Sequence, residues 1–218
     1  MTNDDLYELW DKTCSKLSVP DEGKQSMWSL LVARYAETHR RYHTLEHLGA
    51  MCGTLHEFED RLQSPVAVYT AVFFHDAIYD ASSKNNEVDS AVLAKKFLSE
   101  HAVENSIIET VEALILATAA HMEKTAVRDA AWFLDADLAI LGADRDQYDR
   151  YVLAIRHEYA NIPDPDFRAG RQRFLETILA AGSLFRTDEL KDRFEARARS
   201  NLQIELDRLR SDVASDGS

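Results

Sequence analysis

The segment PVAVYTAVFFHD, which begins at Pro65, is apolar on nearly every side until its last two residues. Proline suits the first position of a helix because it has no amide hydrogen to leave without a partner, and Ser64 before it is a suitable cap. A surface helix shows one apolar stripe, whereas a helix that is apolar all round belongs inside a protein. The sequence therefore predicts a buried central helix around which the other segments must fold.

The remaining segments repeat apolar residues at spacings of three and four, the period of an amphipathic helix. The 7 glycines and 4 prolines in 218 residues are fewer than half of average usage, and strand alternation never persists. We predict one all-α domain over residues 1–210 and a disordered tail at 211–218. The further predicted helices lie at about 4–17, 24–38, 86–101, 105–120, 126–140, 144–160, 166–181 and 188–210.

Charge and composition argue against several functions. The chain has 25 basic and 38 acidic residues, a net charge of −13, so its surface repels a phosphate backbone and duplex nucleic acid is not an expected partner. No run reaches the roughly 18 apolar residues of a membrane span, and the amino terminus lacks a signal-peptide pattern. Cys14 and Cys52 are too few for a disulfide framework. We expect a cytoplasmic protein, and the sequence leaves its oligomeric state open.

His75 and Asp76 close the apolar helix and are the first candidates for chemistry. Burying an imidazole and a carboxylate beside apolar surface is costly unless each has a strong partner, and a divalent metal is one such partner. The alternative is a hydrogen-bonded histidine followed by a helix-terminal aspartate without function. The dipeptide by itself favours this alternative, so the rest of the sequence must decide.

A second candidate group lies in RRYHTLEHLGAM, where His43 and His47 are four residues apart. That spacing places two side chains on one helix face only if the helix already includes both residues. Thr44 is a suitable helix cap, and in that case His43 lies in the preceding loop while His47 projects from the first turns. One imidazole from this segment is a candidate ligand.

A third candidate group is AAWFLDADLAILG, where Asp135 and Asp137 interrupt an apolar helical run and an isolated charge would again be costly. Residues two apart on a helix point about 200° apart, so the two carboxylates cannot both face a metal. With an imidazole from residues 43–47 and the pair at 75–76, one of them would complete a ligand set of nitrogen and oxygen. Such a set suits Mn, Fe, Co, Ni or Zn, and bound water would be the nucleophile.

A histidine, then a His-Asp pair, then an aspartate on separate helices of an all-α domain resembles the HD-domain superfamily of metal-dependent phosphohydrolases. The chain is most similar to the bacterial group of predicted metal-dependent HD phosphohydrolases, over about residues 28–209. The order and spacing of six motifs carry this resemblance: RRYHTLEHL, FFHDAIYD, NNEVDSA, LDADLAILG, YDRYVLAIRHEY and ARSNLQIEL. It implies a single HD-type helical bundle with metal ligands His47, His75, Asp76 and Asp137.

The resemblance also implies the reaction, which is hydrolysis of a phosphoester or phosphoanhydride in a small phosphorylated metabolite or nucleotide. Asp76 would be catalytic as well as a ligand, and Mg is a further option for the ion. Lys84 and Glu87 follow FFHDAIYD, where a cation could meet phosphate and a carboxylate could move protons. As an alternative, Asn86 and Glu87 are simply good helix-start residues. His121 is a candidate second-metal ligand or phosphate contact, or alternatively a helix-end surface histidine.

A phosphate pocket in so acidic a protein requires local arginines, because a planar guanidinium binds phosphate through two hydrogen bonds. We predict substrate contacts from Arg41, Arg156 and Arg171. The alternative for each is a salt bridge on a helix surface. Three aromatic residues could stack on a base, although their helical spacing is typical of core residues: Tyr42, Tyr79 and Trp132.

Two other functions stay open at the level of the sequence. HTLEH matches the inverted zinc-peptidase motif H-x-x-E-H, in which His43 and His47 would bind zinc and Glu46 would activate water. That motif requires one continuous helix over residues 43–47, which a cap at Thr44 disfavours, and it leaves the other candidate ligands without a role. The second function is a catalytically silent domain that binds a nucleotide or protein partner. Such a domain would not need all the proposed ligands together.

Overall fold

The computed structural model of the protein describes residues 1–120 and 125–216, without the side chains of residues 120 and 212–216. Within these ranges every regular element is helical and there is no strand, which confirms the predicted all-α class. None of the helices in this part of the chain is long and apolar enough to cross a membrane. The α-helices are α1 (Asn3–Lys16), α2 (Asp21–Tyr35), α3 (Leu45–His56), α4 (Pro65–Phe74), α5 (Asn86–Glu100), α6 (Asn105–Ala117), α7 (Ala130–Leu138), α8 (Arg145–Glu158), α9 (Asp164–Ala180) and α10 (Asp188–Asp216).

The chain divides into two compact units, Met1–Ala136 and Asp137–Ser218, and the single domain stays a prediction. The first unit contains α1 to α6 and nearly all of α7, and the second contains α8 to α10. The boundary falls between Ala136 and Asp137, in the last turn of the continuous helix α7. No linker rich in glycine or proline marks the division, because it lies within a helix.

Helix α4 is the central helix of the first unit, as its composition predicted. All its residues from Ala67 to Phe74 are buried, and it packs against α1, α3, α5 and α6. The fully buried Trp10 of α1 meets Phe73 edge-on, with ring centroids 5.2 Å apart. Its indole nitrogen donates a hydrogen bond to the carbonyl oxygen of Lys24 at 3.0 Å. An aromatic core with its polar atom paired is a stable arrangement, and it fixes the direction of α4.

The N-terminus of α4 is capped from a distant part of the chain. The helix begins at Pro65 with Ser64 in the N-cap position, as predicted, but the side chain of Ser64 makes no capping hydrogen bond. Instead, the buried carboxylate of Asp129 accepts hydrogen bonds from the backbone N–H groups of Gln63 at 2.9 Å and Ser64 at 2.8 Å. Asp129 comes just before α7, so its carboxylate ties the start of α4 to the start of α7.

The second unit is built from α8, α9, α10 and the 3-10 turn Ala139–Gly142. A Cβ atom at Gly142 would lie 2.6 Å from the Cβ of Phe194, so only glycine allows α10 to approach the turn this closely. The side-chain amide of Asn201 holds the same turn, because it donates to the carbonyl oxygens of Leu141 and Ala143, each at 3.0 Å.

The predicted tail over residues 211–218 also differs from the structure. Helix α10 continues to Asp216, and residues 217–218 lie outside the described residues. The sequence from 211 to 216, SDVASD, contains no glycine or proline that would end a helix.

Candidate metal centre

Helices α3, α4 and α7 position the candidate ligands. His47 lies in the first turn of α3, and His75 is the residue at which α4 ends. The backbone N–H of His75 still donates to the carbonyl oxygen of Ala71 at 2.9 Å, so the helix fixes its backbone, whereas Asp76 lies in the turn that follows. Asp137 lies in the last turn of α7.

The hydrogen bonds of His75 select the ring nitrogen that faces the other ligands. Its Nδ1 lies 2.9 Å from the carbonyl oxygen of Val72. A carbonyl oxygen can only accept, so Nδ1 donates to it, and Nε2 is the ring atom that would bind a metal. Metal-binding histidines are commonly oriented in this way by a backbone carbonyl. The ring of Phe133 meets the His75 ring edge-on at 5.9 Å.

Two of the other predicted ligands, His47 and Asp76, lie close to this Nε2 atom. The Nε2 of His47 lies 3.2 Å from the Nε2 of His75. The Oδ2 of Asp76 lies 3.0 Å from the same His75 atom and 3.9 Å from the Nε2 of His47. Asp137 offers a carboxylate oxygen that lies within 4.8 Å of a ring nitrogen of each histidine.

This spacing fits a divalent metal ion. Zinc–nitrogen distances of about 2.0–2.1 Å place two ligand atoms at tetrahedral or octahedral angles about 2.8–3.4 Å apart. The separations of 3.2 Å between His47 and His75 and 3.0 Å between His75 and Asp76 agree with that range. Two nitrogen and two carboxylate donors suit Mn, Fe, Co, Ni or Zn.

The candidate ligands differ in their exposure to solvent. His47 and His75 are 5% and 1% exposed, whereas the side chain of Asp76 is 16% exposed. Of the two aspartates in LDADL, Asp137 lies beside the histidines, and Asp135 is fully buried and is not part of the group. Asp135 as a cap, an arginine partner or an orienting residue stays a prediction.

The start of α3 separates the two histidines of HTLEH. The helix begins at Leu45, and the hydroxyl of Thr44 accepts a hydrogen bond from the backbone N–H of Glu46 at 3.3 Å. His43 therefore precedes the helix, and Glu46 is exposed. The inverted peptidase motif needs both histidines on one helix, so the backbone here does not meet its geometric requirement. His43 still lies near the group, with its Nε2 4.0 Å from the Oδ2 of Asp76.

The aromatic residues proposed for base stacking pack on other rings. The rings of His43 and Tyr79 stack with their centroids 4.2 Å apart, and the ring of Tyr42 meets His43 edge-on at 5.0 Å. Trp132 stacks on Phe58 at 5.0 Å. All three residues are half-buried, and stacking on a base stays a prediction.

The predicted residues after α4 lie at the start of α5. Lys84 is exposed in the loop, and Glu87 is half-buried in the first turn of the helix. The side chain of Asn86 accepts from the backbone N–H of Asp80 at 3.0 Å and donates to its carbonyl oxygen at 2.9 Å. Asn86 is thus a helix-start residue that closes the loop. Catalytic roles for Lys84 and Glu87 stay predictions.

Two of the three predicted phosphate-binding arginines lie in the second unit and have ion-pair partners there. Arg171 is buried and donates to both carboxylate oxygens of Glu205, at 2.8 and 3.1 Å. Arg156 donates to Asp164 at 2.6 and 2.9 Å. Both therefore hold helices together within that unit, and substrate binding by either stays a prediction.

The third arginine, Arg41, is exposed just before α3 and donates to the carbonyl oxygens of Thr38 at 2.9 Å and Arg40 at 2.8 Å. Its neighbour Arg40 is the residue that sequence reasoning missed, since it is buried and bonds to the backbone of Asp76. The two are adjacent arginines in one loop, and only the contact with a segment 36 residues away distinguishes them. His121, a predicted ligand or phosphate contact, lies outside the described residues.

A scan against protein-family models, a search of curated proteins and a search of solved structures each found no match to this chain. The family suggested by the motifs therefore stays a prediction. A proposal for the function therefore depends on the ligand group of α3, α4 and α7 and on the order of the motifs along the chain.

Proposed function

We propose that the protein is a metal-dependent phosphohydrolase in which His47, His75, Asp76 and Asp137 hold a divalent ion. One observation carries the proposal: two buried imidazoles on α3 and α4 and a carboxylate of α7 offer ligand atoms within 4.8 Å of one another. Imidazole nitrogens and carboxylate oxygens gathered in this way form a ligand set that suits a divalent transition-metal ion.

The proposed reaction is hydrolysis of a phosphoester or phosphoanhydride bond in a small phosphorylated metabolite or nucleotide. The resemblance of the motif order to the HD-domain superfamily supports this substrate class. A divalent ion in such a group supplies an activated water and positive charge toward the phosphoryl oxygens. We also propose that the protein acts in the cytoplasm, as its cysteine usage suggests.

The position of each ligand residue suggests its role. The carbonyl oxygen of Val72 keeps the proton of His75 on Nδ1, so Nε2 stays available as a ligand atom. His47 is held by the first turn of α3. The side chain of Asp76 is 16% exposed, and we propose that its carboxylate also accepts a proton from the attacking water.

The experiment measures release of phosphate or pyrophosphate from a panel of nucleotides, dinucleotides and sugar phosphates with Mn, Co, Ni, Fe or Mg supplied. The wild type is compared with Asp76→Ala and with Asp60→Ala, a matched carboxylate variant whose side chain is 83% exposed. We expect activity in the wild type and in Asp60→Ala, and none in Asp76→Ala. Metal binding without release from any member of the panel would contradict the proposal and favour a silent binding domain. Equal activity in Asp76→Ala would remove this group from the reaction.

A further inference from the structure

Arg40, in the loop between α2 and α3, places a permanent positive charge inside the protein. Its side chain has no exposed surface. Burying a charge is costly unless its donors are satisfied. The Nε atom donates to the Glu37 carboxylate at 3.1 Å, and the other two nitrogens donate to the carbonyl oxygens of Asp76 at 2.6 Å and Ala77 at 3.1 Å. The fork of the guanidinium is therefore matched to a fixed arrangement of acceptors.

These two carbonyl groups lie just past the end of α4. Carbonyl groups at the end of a helix lack partners within it, and a cation there also interacts favourably with the helix dipole. The guanidinium carbon lies 5.2 Å from the ring centroid of Tyr35 and 5.4 Å from that of Tyr79, and these rings restrict its plane. The hydroxyl of Tyr35 also donates to the carbonyl oxygen of Phe73 at 3.1 Å, in the last turn of α4. The end of α4 is thus held by a rigid group of side chains.

The turn after α4 is fixed from a second direction by α5. Ser90 is fully buried, and its hydroxyl accepts from the backbone N–H of Ile78 at 3.0 Å and donates to the carbonyl oxygen of Ile78 at 3.3 Å. Arg40 and Ser90 together hold three successive residues, 76 to 78. The backbone of Asp76 has little freedom as a result, and its Oδ2 is kept 3.0 Å from the Nε2 of His75.

The same guanidinium reaches the segment that leads into His47. Its Nη1 lies 3.4 Å from the carbonyl oxygen of His43, two residues before α3 begins. Arg40 therefore connects the two chain segments that carry His47 and Asp76. We infer that Arg40 is a positioning residue, which sets the separation of the ligands from α3 and α4 without touching a metal or substrate. This inference rests on the proposed metal-binding function.

The test compares Arg40→Lys with a matched control, Arg199→Lys. Arg199 makes a similar set of contacts in the second unit: its Nε donates to Glu195 at 2.7 Å, and its other nitrogens donate to the carbonyl oxygens of Leu179 at 3.2 Å and Ala181 at 2.9 Å, at the end of α9. None of these contacts involves a candidate ligand. Lysine keeps the charge of either arginine but cannot satisfy three acceptors in one plane. Thermal unfolding of the metal-free proteins measures the loss of stability that both variants share.

The readouts are the Co(II) dissociation constant and the visible absorption spectrum of the Co(II)-loaded protein, which reports ligand geometry. We expect Arg40→Lys to weaken Co(II) binding by about 10- to 100-fold and to change the spectrum. Arg199→Lys should keep the wild-type affinity and spectrum. Glu37→Gln, which retains Arg40 but weakens its Nε hydrogen bond, should shift the affinity in the same direction by a smaller factor. That variant decides the question if Arg40→Lys does not fold.

Three results would overturn the inference, and they are distinguishable. A wild-type protein that binds no Co(II) overturns both the proposed function and the role of Arg40. Wild-type binding together with unchanged affinity and spectrum in both Arg40→Lys and Glu37→Gln overturns the role of Arg40 alone. An equal loss of Co(II) affinity in Arg199→Lys would also overturn the role of Arg40, because a general loss of stability would then explain the weaker binding.

Discussion

The carboxylate of Asp129 should contribute more to stability than the residue that the sequence marks as the cap of α4. Asp129→Asn keeps the shape of the side chain, and asparagine tolerates the backbone φ of 60° at this position. It replaces one accepting oxygen by an amide NH2 group and removes the charge, so one of the two hydrogen bonds, of 2.8 and 2.9 Å, is lost. A hydrogen bond to a charged group contributes about 1.5–3 kcal/mol, so we expect Asp129→Asn to lower the free energy of unfolding by about 2 kcal/mol.

Ser64→Ala is the matched control, because the Ser64 side chain makes no capping hydrogen bond. It should change the free energy of unfolding by less than about 0.5 kcal/mol. Urea unfolding followed by tryptophan fluorescence suits this test, since all 3 tryptophans lie in the first unit. A larger loss in Ser64→Ala than in Asp129→Asn would refute the assignment of the cap to Asp129.

Three further predictions follow from single contacts. Gly142→Ala should destabilise the second unit by about 1–3 kcal/mol in urea unfolding, since its Cβ would meet Phe194, and an unchanged midpoint would contradict this packing. Burial raises the pKa of both cysteine thiols to about 12, so neither should react with a thiol reagent at pH 8 until the protein unfolds; rapid reaction of the native protein would be the contrary result. Asp137→Asn should lower metal occupancy far more than Asp135→Asn, and the reverse order would overturn the choice of ligand.

The local spacing of apolar residues was sufficient to predict the helices. Spacings of three and four residues follow directly from burial of one helix face, so each predicted segment corresponds to an observed helix. The apolar composition of 65–74 predicted a central helix because no surface position can accommodate it. Thr44 as a cap also followed from local chemistry, and it separated His43 from the helix that carries His47.

Contacts between residues far apart in the chain could not be predicted from the sequence. Asp129 caps a helix 65 residues away, and Arg40 bonds to a turn 36 residues away, and neither residue differs in its local pattern from an ordinary surface charge. For the same reason Arg171 suggested a phosphate contact, whereas its guanidinium is paired with Glu205. The boundary between the two units falls inside a continuous helix, where no local sequence pattern marks it.

Metal content tests the central claim most directly. Protein supplied with Mn, Fe, Co, Ni or Zn is freed of unbound ions, and the metal retained per chain is measured by elemental mass spectrometry. The wild type and His56→Ala, whose histidine lies on α3 with a side chain 74% exposed, should retain at least one ion per chain, and His75→Ala should retain almost none. A wild type without metal, or His75→Ala with wild-type occupancy, would contradict the metal centre on which the proposed function depends.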